Sequence, residues 1–332
     1  MLPRKFPEIV QAWHRLYFSG IVQLMDMNTL GLPEALQSNP PGPNVIGEYI
    51  LMDVARALNI RPGSPFFQAF RRLTQKAARE FAEILLRVDR SLAAGDVRQS
   101  ANLALDYLTD GQEFIGEERV PREAPLLVVA NHAGGGDSLG ALSCVARNDS
   151  SVVAGKRPML AALPNVSRHL IFLETDPVGR MGNMREIIEK LEAGQAVILF
   201  PKGLLEPDPA LAPGALQSLK AWSQSAGIFL SKVPEARLLP LLISQTVAPK
   251  AWKSLFVAWS KNLKRRHQIA MITQFAMQRL HPGKDWQIPI RVQVGKAYDP
   301  RELSNTLDPR EINDSIQQVM SELLLTAYPA ST

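Results

Sequence analysis

The sequence predicts an α/β fold: a mostly parallel central sheet flanked by helices, preceded by an α-helical N-terminal domain or subdomain. Two observations predict it. Residues 1–115 repeat apolar side chains at helical spacing, whereas from Pro121 onward short runs rich in Val, Ile and Leu alternate with amphipathic segments. The second pattern is that of strands buried on both faces and covered by helices. The change of character divides the chain into a helical region over 1–115 and a second domain over 116–332.

In the first region, the turn-rich stretch Asn39 to Asn44 separates a first helix from another around Ile46 to Leu58. The clearest helix has Ser64 as N-cap and Pro65 at its first position. It carries Phe67, Phe70, Leu73, Ala77, Phe81, Ile84, Leu85 and Val88 on one face, expected to be buried. Gly95 and Asp96 read as a stop and a new cap, after which Val97, Ala101, Leu105 and Leu108 continue a helical stripe as far as Asp110 and Gly111. Packing of helix on helix accounts for these stripes. In the second region the expected strands are Leu126 to Ala130, Ser151 to Ala154, Leu170 to Leu173, Ala196 to Phe200, Leu238 to Ile243 and Ile290 to Val294, with helices after Asp137, Gly182 and Gly214.

Composition narrows the class. A 46% hydrophobic content over 332 residues is enough for a sizeable core, and 21% charged residues without a low-complexity tract exclude a disordered or fibrous chain. The one cysteine, Cys144, has no partner for an intramolecular disulfide, which fits a reducing, cytoplasmic compartment. It lies in the apolar helical stretch Leu139 to Val145 and reads as a small buried hydrophobe. Met1 to Tyr17 is interrupted by Arg4, Lys5, Glu8 and Arg15, so it does not read as a secretory signal. No run reaches the roughly 18 consecutive apolar residues of a spanning helix, so membrane contact is expected to be peripheral, on the inner face.

The net charge of +5 and pI near 9.3 favour anionic partners such as lipid headgroups, coenzyme phosphates or an acidic carrier protein. Nucleic acid would suit the charge equally, but no zinc-knuckle spacing, basic repeat or aromatic RNA-binding signature accompanies it, and no nucleic-acid partner is expected. The basic run Lys261, Lys264, Arg265 and Arg266, with Trp252, Phe256 and Trp259 upstream, suits either an interfacial helix on anionic lipid or a solvated helix end with a buried aromatic face. His14, His169, His267 and His281 lack a second ligand at metal spacing, so no metal site is expected. Without a Gly-x-Ser-x-Gly elbow, Ser138 and Ser143 do not suggest a serine hydrolase.

The chemistry concentrates in Leu126 to Asp137, an apolar strand running through Asn131 and His132 into Gly134, Gly135 and Gly136. In an open α/β sheet ligands bind at the carboxyl ends of strands, where His132 would emerge. Asp137, five positions on, can meet the imidazole across a turn and leave its other nitrogen to act as a general base. The three glycines leave room for a bulky substrate near the backbone, and their amides suit an anionic oxygen. Alone, a His-x-x-x-x-Asp spacing is a weak signal.

Three further segments strengthen it: Val197 to Gly203, which ends in Phe200-Pro201-Lys202-Gly203; Leu239-Pro240-Leu241; and Val292 to Lys296. Together with Asn131-His132-x4-Asp137 and the lead-in Phe114 to Glu118, the order and gaps of these segments resemble those of the glycerolipid acyltransferase superfamily. That superfamily includes the 1-acylglycerol-3-phosphate and glycerol-3-phosphate acyltransferases, and some of its soluble members also join a helical domain to the catalytic one.

The resemblance implies an O-acyltransferase that moves a fatty acyl group from acyl-CoA or acyl-carrier protein to a hydroxyl acceptor in phospholipid biosynthesis. His132 would be the base and Asp137 its support, with no cofactor required. It further implies substrate contacts at Asn131, Gly134, Gly135, Gly136, Phe200, Pro201, Lys202 and Gly203. The departures bear on the acceptor. Lys202 stands where the family has glutamate, and Leu204 and Leu205 replace threonine and a phosphate-holding arginine. At the second motif Glu174 or Thr175 replaces another arginine, with Arg180 several residues late as the candidate substitute. Lys202 can offer a point charge but not a bidentate fork, and Glu206 and Asp208 make the neighbourhood less positive. The alternative function is a catalytically inactive lipid-binding or scaffold protein on the same fold.

Overall fold

The computed structural model describes residues 41–258, 262–281 and 286–329. The first expected helix, His14, Trp259, Lys261 and the Pro282-Gly283 turn lie outside them, as do the side chains of Phe256 and Lys264.

The N-terminal region is helical: α1 (Pro43–Ala57), α2 (Pro65–Ala93) and α3 (Val97–Leu108). Ser64 caps α2 by accepting the Phe67 amide at 3.1 Å, Asp96 caps α3 through Gln99, and Gly95 takes the left-handed φ of +85° that ends the preceding helix. Of the expected face of α2, Phe70, Ala77, Phe81 and Ile84 are half-buried. Phe67, Ala78, Ala82, Leu85 and Val88 are inside, but Leu73 is 84% exposed. Asp89, buried on α2, accepts the amides of Asn165 and Val166 and ties this region to the sheet domain.

Seven strands form one sheet in the order β1-β7-β6-β2-β5-β3-β4. They are β1 (Gln112–Ile115), β2 (Leu126–Ala130), β3 (Ser151–Gly155), β4 (Leu170–Leu173), β5 (Ala196–Leu199), β6 (Arg237–Ser244) and β7 (Ile290–Val294). All neighbours are parallel except β6 and β7. The fold is therefore α/β with a mostly parallel sheet, as the apolar runs predicted. β2 lies at its centre with all five residues buried, and both flanking partners run parallel to it. Such a strand has no polar face, which is why it reads as an unbroken apolar run. β1, within the last residues assigned to the helical region, pairs with β7 and belongs to the sheet.

Helices cover both faces. On one side α7 (Pro177–Glu192), α9 (Ser225–Lys232) and α14 (Pro309–Ala327) supply Ile187, Phe229 and Ile316 to a core shared with Leu127, Val129 and Val197. On the other, α4 (Asp137–Val145) packs Ala141, Cys144 and Val145 against Val128, Ile198 and Val292, and α3 lies behind it. Burial pushes the Cys144 thiol up to about 12, so it stays protonated and serves packing. Between β6 and β7 the chain forms α10 (Pro249–Trp252), α11 (Leu255–Ala258) and α12 (Leu263–Leu280). Here Trp252 is buried under the Arg266 guanidinium, 4.7 Å from its ring centroid, which removes one member of the expected lipid-facing aromatic set. Among the described residues no helix is long and apolar enough to cross a membrane.

Candidate active site

His132 follows the carboxyl end of β2, one residue past Asn131, where the chain turns out of the sheet. Gly134, Gly135 and Gly136 all have positive φ (98°, 25° and 99°), a path that residues with a Cβ rarely follow. The turn returns Asp137 to the start of α4, beneath the imidazole. Its Oδ2 lies 2.7 Å from His132 Nδ1 and also accepts the Gly134 amide at 2.8 Å, while Oδ1 accepts the Ser138 amide at 2.7 Å.

These contacts set the charge states. Burial disfavours the charged form of Asp137, but the His132 ring and the two amides outweigh it and hold the carboxyl below its usual range. For His132, burial would lower the pKa. The charge and hydrogen bond of Asp137 overcome it, with help from Glu206 and opposition from Arg157, and raise the value above the ordinary 6.5. An ionised Asp137 that accepts the Nδ1 proton fixes the tautomer, leaving the Nε2 lone pair outward on a side chain that is 31% exposed.

Residues 112–230 match the family model Acyltransferase. This stretch is an acyltransferase domain. Among solved structures, the 1-acyl-sn-glycerophosphate (LPA) acyltransferase PlsC from Thermotoga maritima is similar at 18% identity and a TM-score of 0.40, over 86% of this chain and 96% of that one. No curated protein matches the chain in sequence.

Within the acyltransferase domain the residues singled out from sequence fall into two groups. Phe200 and the residues after it gather near His132. The Phe200 ring stands 5.1 Å from the His132 ring, Pro201 is buried, and Gly203 closes a tight turn by donating to the Phe200 carbonyl. Lys202, half-buried, directs its Nζ to Ser218 Oγ at 2.6 Å.

Other residues turn away. Asn131 is buried and exchanges two hydrogen bonds with the Ile243 backbone, at 2.8 and 2.7 Å, extending the pairing of β2 with β6 beyond the ladder. The Gly134 amide is committed to Asp137. Arg180 is buried on α7 and donates to the Thr175 carbonyl at 2.7 Å. It follows β4, three strand spacings or about 14 Å across the sheet from β2.

Three groups at the site gave little signal in the sequence. Glu206 is buried and bonded to the His132 backbone. Arg157, just after β3, is 51% exposed at its side chain, loosely paired with Asp53 at 3.6 Å, and near enough to His132 to oppose its protonation. His267 of α12 is buried, its Nε2 has no hydrogen-bond partner among the described residues, and burial holds its pKa down at about 4, so it stays neutral. Each depends on chain segments distant in sequence that converge at one edge of the sheet.

His267 also packs the glycine turn. A Cβ on Gly134 would lie 2.4 Å from His267 Nε2, at a φ of +98°. Gly134→Ala should therefore displace the turn and with it Asp137. The expected result is at least a tenfold loss of turnover and a stability loss of about 1–3 kcal/mol. Thermal melting read beside initial rates checks both, and wild-type values for either would contradict the close packing.

Proposed function

We propose that the protein is a glycerolipid-type O-acyltransferase that transfers a fatty acyl group from a thioester donor, acyl-CoA or acyl-carrier protein, to a hydroxyl acceptor. The observation that carries this reading is the 2.7 Å contact between His132 Nδ1 and Asp137 Oδ2, within a domain of the acyltransferase family. In this reading the acceptor hydroxyl approaches Nε2 of His132. As its oxygen attacks the thioester carbonyl, the proton passes to Nε2, and Asp137 stabilises the imidazolium. The tetrahedral oxyanion then collapses, the carbon–sulfur bond breaks, and the thiolate takes up the proton. Transfer is direct, without an acyl-enzyme. No metal or organic cofactor takes part in the step. A cytoplasmic location with peripheral membrane contact completes the proposal.

The acceptor head is assigned to Arg157 in preference to Arg180 or Lys202. Arg157 is half exposed, its charge is felt at His132, and its ion pair with Asp53 is long at 3.6 Å. Lys202 is engaged by Ser218 and Arg180 by the Thr175 carbonyl. A planar guanidinium can also hold a phosphate by two bonds, which an ammonium cannot.

Arg157→Ala is expected to raise KM for a phosphorylated acceptor about ten- to hundredfold, consistent with loss of one charge-assisted contact of about 1.5–3 kcal/mol, with little change in the donor KM. Steady-state assays of glycerol-3-phosphate, an acylated glycerol-phosphate and an uncharged alcohol at equal donor concentration test this. A strong preference for phosphorylated acceptors that survives in Arg157→Ala would remove Arg157 from the acceptor site.

A further inference from the structure

Glu206 is a buried acid that the reaction as described leaves unused. It is 2% exposed, in the loop after β5, and its carboxylate meets donors from three directions. The His132 amide donates to Oε1 at 3.0 Å, Trp222 Nε1 lies 3.2 and 3.1 Å from the two oxygens, and Ser218 Oγ donates to Oε2 at 2.7 Å. In return the Glu206 amide donates to the His132 carbonyl at 2.7 Å. Both polar groups of the catalytic residue's backbone are thus held by one residue, 74 positions away in sequence. Two residues further on, Asp208 accepts the Thr246 amide at 2.8 Å, and Thr246 Oγ1 lies 3.0 Å from both Asp208 and the Ala133 carbonyl, so the same loop also secures the next peptide.

We propose that Glu206 is the positioning residue for the base, clamping the His132 backbone through its carboxylate and its own amide and setting a negative charge beside the imidazole. This rests on the reading of His132 as general base. Burying a carboxylate costs several kcal/mol, and a neutral acceptor would satisfy the His132 amide without that cost. What the carboxylate adds is charge.

The charge is balanced from behind, since Lys202 Nζ donates to Ser218 Oγ, whose proton goes to Glu206. Lys202 therefore acts on the base through Glu206 and not on the acceptor. The other charged or titratable groups that act on His132 are Asp137 from the start of α4, Arg157 from the end of β3 and His267 from α12. Neither Arg157 nor His267 supplies negative charge. Among the described residues, Asp137 and Glu206 are the two that keep the base strong.

Glu206→Gln isolates the effect. The amide oxygen can still accept from His132 and Trp222 while its nitrogen takes the Oε2 place, so shape and backbone clamp are kept, the charge is lost, and Ser218 must turn from donor to acceptor. The measurement is titration of the His132 ring by NMR in the unliganded protein, beside kcat/KM against pH. In Glu206→Gln the titration should move to lower pH, and the alkaline plateau of kcat/KM should fall about three- to tenfold with the donor KM unchanged. Lys202→Met, which removes the balancing positive charge, should move the titration the opposite way. If Glu206→Gln does not fold, the Lys202→Met shift decides the matter. A His132 titration that stays at the wild-type pH in the folded variants overturns the proposal. Because the titration needs no substrate, it stands or falls separately from the transferase reading.

Discussion

His132→Ala should yield a folded protein whose acyl transfer is slower by about 10² to 10⁴-fold, the usual contribution of a positioned general base. Folding should survive because the structural work of this residue is done by its backbone. Its amide and carbonyl are held by Glu206, and alanine keeps both. The side chain is 31% exposed and, among the described residues, makes one polar contact, to Asp137. Circular dichroism or melting confirms the fold, and turnover under saturating donor and acceptor measures the loss. Near-wild-type turnover in a folded variant would remove His132 from the chemistry.

Asp137→Asn should cost a comparable factor of about 10² to 10⁴ for a different reason. The carboxylate accepts on both oxygens: from His132 and Gly134 on Oδ2, and from Ser138 on Oδ1. An asparagine must turn its NH₂ toward one of those sides. Facing Ser138, it opposes a donating amide. Facing His132, it opposes the Gly134 amide and forces Nδ1 to accept, which puts the imidazole proton on Nε2, where the base needs a lone pair.

The pH profile carries a sign as well. The charge of Asp137 raises the His132 pKa, so wild-type kcat/KM should rise with pH through a limb above the ordinary 6.5, as the imidazole becomes neutral. In Asp137→Asn the limb should shift to lower pH while its plateau falls. A plateau lost with no shift of the limb would mean that Asp137 orients the ring without acting on its charge.

The elements legible in the sequence are those fixed by local rules. β2, β4 and β7 occupy the expected residues: β2 is an apolar run buried throughout, β4 a short apolar run at the end of the sheet, and β7 alternates buried Ile290, Val292 and Val294 with half-buried Arg291 and Gln293. Ser64-Pro65 and Asp96 cap helices because capping depends only on residues within one turn. β1 was missed as a strand: four residues with a polar Gln112-Glu113 start and no fully buried position give no apolar run, and the strand exists only because β7 supplies its partner. The contact between His132 and Asp137 was legible because the two meet across a single turn. Asn131, Arg180 and Glu206 were not, since the direction of a polar side chain depends on which distant donors and acceptors the fold brings to it. Asn131 turns to a strand 112 residues on, and Glu206 to a peptide 74 residues back. Lys202 shows the same limit. Its place after β5 suggested a substrate contact, and its hydrogen bond is to Ser218.

The most direct measurement of the central claim is release of free thiol from an acyl thioester by the wild-type protein, with and without a hydroxyl acceptor. The account predicts thiol release that depends on the acceptor, matches acylated product mole for mole, and is lost in His132→Ala. Thiol release at the same rate without acceptor would indicate a hydrolase. No release with any acceptor, from a protein that still binds the thioester, would contradict catalysis and leave a lipid-binding protein on an acyltransferase fold.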